Sequence, residues 1–163
     1  MPPLNNFTTK AKEAIRRSHE LAIERGQNQV TPLHLLTSLL LQEESMVISI
    51  LDKLEIDTIL LTDSVLEAIE TPESGPLMSP AYQIYLTPDL VQVFNGAEKI
   101  ARFLKDEFVS TEHLFIAVLE VPGQTREILS RFRITKEQVL SVLDELRNQK
   151  ITDADSPKKY RVL

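Results

Sequence analysis

Two histidines recur in one setting, His34 within Val30-Thr31-Pro32-Leu33-His34-Leu35 and His113 within Val109-Ser110-Thr111-Glu112-His113-Leu114. A repeated imidazole can ligate a metal or move a proton, so these residues are the first to test for chemistry. A helical two-metal site of the Glu-x-x-His kind needs a carboxylate three residues before each histidine. Those places hold Thr31 and Ser110, so the setting reads as a hydroxyl-capped helix start with a hydrogen-bonded structural histidine one turn in. No metal ligand is assigned. His19, in a charged helical stretch, reads as solvated. The chain has no cysteine, which removes thiolate nucleophiles, disulfides and cysteine zinc sites. Gly26, Gly75, Gly96 and Gly123 are too dispersed for GxGxxG or GxxxxGK[ST], so no phosphate cradle is present. No GxSxG elbow joins a serine to a histidine and an acid. No catalytic residue is assigned, and the chain is expected to bind rather than to catalyse.

The totals agree with a binding domain. A length of 163 residues corresponds to one domain at roughly 150 residues each. Apolar residues make up 42% and charged residues 26%, as in ordinary globular proteins. A net charge of -6 argues against binding the nucleic-acid backbone, which calls for a basic face. Apolar runs such as Leu39-Leu40-Leu41 fall far short of the ~20 residues of a membrane span. The start, Met1-Pro2-Pro3-Leu4-Asn5-Asn6, has no basic, apolar signal pattern, and a cytoplasmic location is expected.

An internal repeat organises the chain. A shift of 79 places sets Phe7–Leu40 on Leu86–Leu119 without a gap, with six identities: Thr8/Thr87, Ala22/Ala101, Val30/Val109, His34/His113, Leu35/Leu114 and Leu40/Leu119. After a slip of one residue, Leu51–Ile56 faces Leu129–Ile134. Each copy punctuates into four helices. The first follows Thr8 or Thr87, hydroxyl N-caps, and carries the stripe Ala11, Ala14, Ile15, Ser18, Leu21, Ala22 or Leu90, Val93, Phe94, Ala97, Ile100, Ala101, Leu104 at helical spacing. The second starts at Thr31-Pro32 and Ser110-Thr111. The third covers about Ser45–Leu54 and Thr125–Phe132. The fourth starts near Asp57 and near Thr135, where Thr135 and Gln138 have capping-box spacing. The expected fold is all-α: two tandem four-helix repeats packed with pseudo-twofold symmetry in a single domain over 1–148. Repeat 1 takes about 7–70 and repeat 2 about 86–148. Pro72, Gly75, Pro76 and Pro80 make 71–85 a loop, and the polar stretch 149–163 reads as the start of a linker.

These features resemble the N-terminal (Clp repeat) domain of Clp-type AAA+ unfoldases. The likeness is carried by Phe7-Thr8-Thr9-Lys10-Ala11, Val30-Thr31-Pro32-Leu33-His34-Leu35-Leu36, Leu86-Thr87-Pro88-Asp89-Leu90 and Val109-Ser110-Thr111-Glu112-His113-Leu114, and it runs from about Phe7 to Arg147. Pro32–Leu35 and Asp89–Val93 look most like the ClpB disaggregase branch, with ClpC-like domains next. The resemblance implies a domain that captures unfolded or aggregated proteins for an ATP-driven pore. ATP and magnesium are then expected in ATPase modules outside this chain, and no cofactor within it. It also implies a monomeric domain in a hexameric parent, with neither nucleic acid nor membrane as partner. Similar domains of the ClpA and ClpC branches dock adaptor proteins. The ClpC branch can bind phosphoarginine through an acidic residue in the Thr-Glu-His motif of each copy; Glu112 fits that pattern, but Leu33 stands in the first copy, so one half-site is missing.

ClpB-type resemblance further assigns client handling to a polar cluster matching Thr8, Asp106 and Glu112. The plainer readings stay open beside it: Thr8 as an N-cap, Asp106 as a loop residue, and Glu112 as a first-turn acid favoured by the helix dipole. A second argument comes from the repeat alone. Phe103, Leu104 and Phe108 correspond to Glu24, Arg25 and Gln29, so the scaffold does not demand apolar side chains there. Phe103 lies roughly 60° beyond the Ile100 edge of the stripe. Phe103, Leu104 and Phe108 are therefore expected to form a partly exposed patch for apolar segments of a client; the plainer reading, favoured for Leu104, is that these side chains cover the neighbouring copy or the loop.

Overall fold

The computed structural model describes residues 3–70 and 83–153, with side chains as far as Gln149. Copy 1 folds as α1 (Thr9–Glu24), β1 (Gln29–Val30), α2 (Pro32–Leu41), α3 (Met46–Lys53) and α4 (Thr58–Glu70). Copy 2 folds as β2 (Tyr85–Leu86), α5 (Pro88–Phe103), α6 (Thr111–Glu120), α7 (Gln124–Arg131) and α8 (Lys136–Asp153). Short polar side chains set the helix starts by accepting a first-turn N–H that would otherwise lack a partner. Thr8 Oγ1 accepts from Ala11 N at 3.1 Å, Ser45 Oγ from Ile48 N at 3.2 Å and Thr87 Oγ1 from Leu90 N at 3.3 Å. Thr135 and Gln138 form the reciprocal capping box, both bonds at 3.2 Å.

The core is built around α2 and α6, which are buried continuously over Leu33–Leu40 and Thr111–Leu119. A helix buried on every side needs neighbours all round. In each copy the long first helix supplies one wall, with Ala11, Ala14, Ile15, Ser18, Leu21 and Ala22 inward in α1 and Leu90, Val93, Phe94, Ala97, Ile100 and Ala101 inward in α5. The rest comes from the other copy. α2 meets α6, α3 packs on α8 as α4 packs on α7, and α1 reaches α6 as α2 reaches α5. This reciprocity is the pseudo-twofold arrangement expected of a duplicated unit. Leu104, half-buried, packs against the same core.

Short backbone ladders, which periodicity did not disclose, make the exchange closer. β1 pairs in parallel with β2, Val30 opposite Leu86, and Phe7 forms a parallel bridge with Val109. Under the 79-residue shift these are one contact seen twice: the segment before the first helix of each copy pairs with the segment before the second helix of the other. Thr87 N donates to Val30 O at 3.1 Å, and its counterpart Thr8 N donates to Val109 O at 2.9 Å. The expectation of a loop over 71–85 is corrected at its end, where Tyr85 is in β2; 71–82 lie outside the described residues. A further correction concerns α8, which continues through 149 to Asp153 where a linker was expected.

Several helices end in a left-handed turn. Gly26 (φ 67°), Glu55 (φ 60°), Lys105 (φ 62°) and Arg133 (φ 62°) take the position after the cap, and the following N–H reaches back five residues, as from Ile56 to Leu51 O (3.0 Å) and from Ile134 to Leu129 O (3.1 Å). Only one of the four is glycine, the residue that enters this region without a Cβ penalty. Glu55→Gly and Arg133→Gly are therefore each expected to stabilise the domain by about 1 kcal/mol. Gly26→Ala should cost a similar amount, all three being read from urea unfolding midpoints.

Candidate functional site

At the start of both central helices, the histidine replaces the usual acid or amide of a capping box. Thr31 N donates to His34 Nδ1 at 3.0 Å, and Ser110 N donates to His113 Nδ1 at 2.8 Å. With Nδ1 accepting, each ring carries its proton on Nε2, which donates back to the loop ahead of the helix. His34 Nε2 meets Gln27 Oε1, and His113 Nε2 meets Asp106 Oδ2, both at 2.6 Å. The expectation of hydrogen-bonded structural histidines matches this geometry. His19 differs from expectation: it is half-buried, and Nδ1 lies 3.0 Å from Ile15 O, because a helical side chain can reach the carbonyl one turn back.

Beyond the histidine the two copies diverge in charge. In copy 1 the groups bonded beyond the histidine are neutral: Gln27 Nε2 donates to Ile69 O at 3.0 Å, Leu33 is buried beside His34, and Ile69 is buried on α4, while the Arg25 charge nearby pairs with Glu70 at 3.7 Å. In copy 2 the counterparts are Asp106, Glu112 and Arg147. The Arg147 guanidinium grips Asp106 with two bonds, Nη1 to Oδ1 at 3.1 Å and Nη2 to Oδ2 at 2.7 Å, and Nη2 reaches Glu112 Oε2 at 3.3 Å. Two-pronged contacts of this type are the stronger class of ion pair. Burial alone would raise the Asp106 pKa, but the His113 and Arg147 hydrogen bonds outweigh it and hold the carboxyl below its ordinary value. Burial likewise opposes the charge on Arg147, and the two carboxylates overcome it.

The site residues separate into two sets. Asp106 and Glu112 are brought together, through Arg147. Glu112 is only 3% exposed, because α6 is central and the Arg147 guanidinium lies against the carboxylate. Thr8 is also buried, capping α1, and its N–H is bonded to Val109 O. Phe103 and Phe108 are on the surface, with Phe103 78% and Phe108 38% exposed, and they flank Asp106 along the chain. Arg147 is the residue that the sequence reading missed. Val139, Leu143 and Arg147 follow i, i+4, i+8 spacing on α8, matching the buried Leu61, Val65 and Ile69 of α4. A cation at a core position was the available signal. Among the described residues, no group of three or more His, Asp or Glu is placed to hold a metal, and no helix is long and apolar enough to cross a membrane.

Removing one partner from a mostly buried ion network leaves the others uncompensated. Arg147→Ala is expected to lower stability by about 3 kcal/mol, measured by urea unfolding, with a smaller loss for Glu112→Gln. Protonation gives a separate prediction. Burial, aided by the nearby Arg25 charge, pushes the His34 pKa down to about 4. Between about pH 6.5 and 4 the unfolded chain therefore binds more protons than the folded one, and stability falls as pH falls across that window. The loss is on the order of 3 kcal/mol. His34→Gln retains capping-box chemistry and should flatten the pH–stability curve there.

Comparison with known proteins gives a consistent set. Residues 6–132 match the family model described as the Clp repeat (R) N-terminal domain. Chaperone protein ClpB of Bacillus anthracis is 32% identical over 162 residues, which cover 98% of this chain and 19% of that protein. ClpB of Nitratidesulfovibrio vulgaris is 32% identical over 169 residues, with the same two shares. The chain thus spans 19% of the length of these curated relatives. Among solved structures, the Hsp104 N-terminal domain from Candida albicans superposes with a TM-score of 0.75 at 22% identity, covering 88% of this chain and 92% of that one. A complex of the ClpV N-domain with VipB peptide gives 0.67 at 22% identity, covering 85% and 89%. These two structures share the all-helical fold.

Proposed function

Because the chain belongs to the Clp repeat N-terminal domain family, we propose that it is the client-capturing domain of a cytoplasmic, ClpB-like, ATP-dependent chaperone. One observation carries this reading. Phe103 and Phe108 are exposed on copy 2 where copy 1 has Glu24 and Gln29, so the apolar side chains are not required by the scaffold. A surface aromatic pair can cover an apolar stretch of unfolded polypeptide without demanding a particular sequence, and its contact is accordingly weak. Several such domains around a ring would raise capture through effective concentration rather than through tight single sites. In this reading the chain binds without hydrolysing, and ATP and magnesium belong to ATPase modules of the parent, a hexamer.

A second reading, docking of a short adaptor peptide, draws on the ClpV N-domain solved with VipB peptide. Phosphoarginine recognition is disfavoured here. Leu33 occupies one of the two acidic positions, and Glu112 is already engaged by Arg147 at 3.3 Å. The deciding experiment titrates the domain with labelled, reduced and alkylated lactalbumin, and separately with free phosphoarginine. Phe103→Asp with Phe108→Asp should weaken lactalbumin binding roughly tenfold or more, the worth of one lost aromatic contact. Being surface changes, they should alter stability by no more than about 0.5 kcal/mol each. Unchanged binding by the folded double variant would refute the patch, and resonance shifts with phosphoarginine would favour degron reading.

A further inference from the structure

Asp106 lies between Phe103 and Phe108 in sequence, and Arg147 on α8 holds it. The loop that would feel a bound client is thereby tied to α8, the last helix among the described residues. On α8, Arg147 takes the place that Ile69 takes on α4, and α8 is described as far as Asp153.

We infer that the Arg147 clamp couples occupancy of the Phe103–Phe108 loop to the anchoring of the last turns of α8. The inference rests on the client reading above for its ligand and on the ionic network for its mechanism. Displacing Asp106 takes away both short bonds to Arg147 and the 2.6 Å bond from His113 together. Glu112 remains as the arginine's carboxylate partner in the network, at 3.3 Å. Partial displacement leaves charges in a poorly solvated place without their partners, so the contact favours two settings, closed or released. Copy 1 ties its loop to α4 with a neutral bond, Gln27 Nε2 to Ile69 O, and a longer ion pair from Arg25 to Glu70 at 3.7 Å whose carboxylate is solvent-exposed, so neither contact carries such a penalty. Copy 2 thus has a strap that a ligand can release, and copy 1 a fixed one.

Hydrogen exchange on the full chain, with and without saturating reduced and alkylated lactalbumin, tests the coupling while fluorescence anisotropy independently reports binding. Bound probe should speed exchange of amides 143–149 roughly threefold and leave those of α4 unchanged. A triple variant that copies copy 1, Asp106→Gln with Glu112→Leu and Arg147→Ile, should show no probe-induced change on α8. Arg147→Lys keeps the charge without the fork, and it should speed α8 exchange even without probe; it also serves if the triple variant fails to fold. Binding with unaltered α8 exchange overturns the coupling and spares the client reading. The same acceleration in the triple variant overturns the clamp as its carrier. Absence of any anisotropy change overturns the client reading and removes the coupling with it. Wild-type exchange rates in Arg147→Lys without probe overturn the clamp by themselves.

Discussion

Two helices buried along almost their whole length impose the architecture. α2 and α6 present apolar or internally bonded side chains on every side, and one four-helix copy has only three other helices with which to surround its own. The remaining faces must be closed by the partner copy. Each large buried side chain is worth roughly 1.5–3 kcal/mol, so exposing an interface lined by two such helices would cost more than a domain's usual net stability of about 5–15 kcal/mol. Duplication and mutual burial are for this reason inseparable here. The outer helices inherit their roles from that demand: α1 and α5 as walls, α3, α4, α7 and α8 as the reciprocal cover.

Much of this was legible in the residues. The stripe of α1 names its buried face residue for residue and that of α5 does so except for Leu104, which caps the helix half-buried, and the one-residue slip marks a real difference, Gln42–Ser45 between α2 and α3 against Val121–Gly123 between α6 and α7. Hydroxyl caps located the helix starts because their chemistry is local. What escaped was non-local or too short to have a period. Two-residue strands show no alternation, and their partners lie in the other copy. Arg147 finds its carboxylates across more than thirty residues, a pairing no spacing rule reports. Glu112 looked like a surface acid because first-turn acids usually are; only the centrality of α6 turns it inward.

The comparison between copies shows how a duplicated scaffold acquires asymmetry. The backbone at the loop before the second helix is the same in both, down to the left-handed residue, Gly26 in one copy and Lys105 in the other. The histidine box is also the same. Only the outer partners changed, from Gln27, Leu33 and Ile69 to Asp106, Glu112 and Arg147. Replacing apolar packing by an ion network of similar volume is often close to neutral for stability, so such a change is tolerated where a fold already exists. Phe103 and Phe108, exposed on the same copy, stand where copy 1 has Glu24 and Gln29.

The exchanged backbone ladders bear on how the molecule is made. Val30 has no partner until Leu86 has been synthesised, and Phe7 waits for Val109. Translation adds roughly 5–20 residues per second, so the first half spends seconds emerging from the ribosome with its clasp open and the inner flank of α2 uncovered. A protein whose proposed task is to hold unfolded chains must itself pass through that condition.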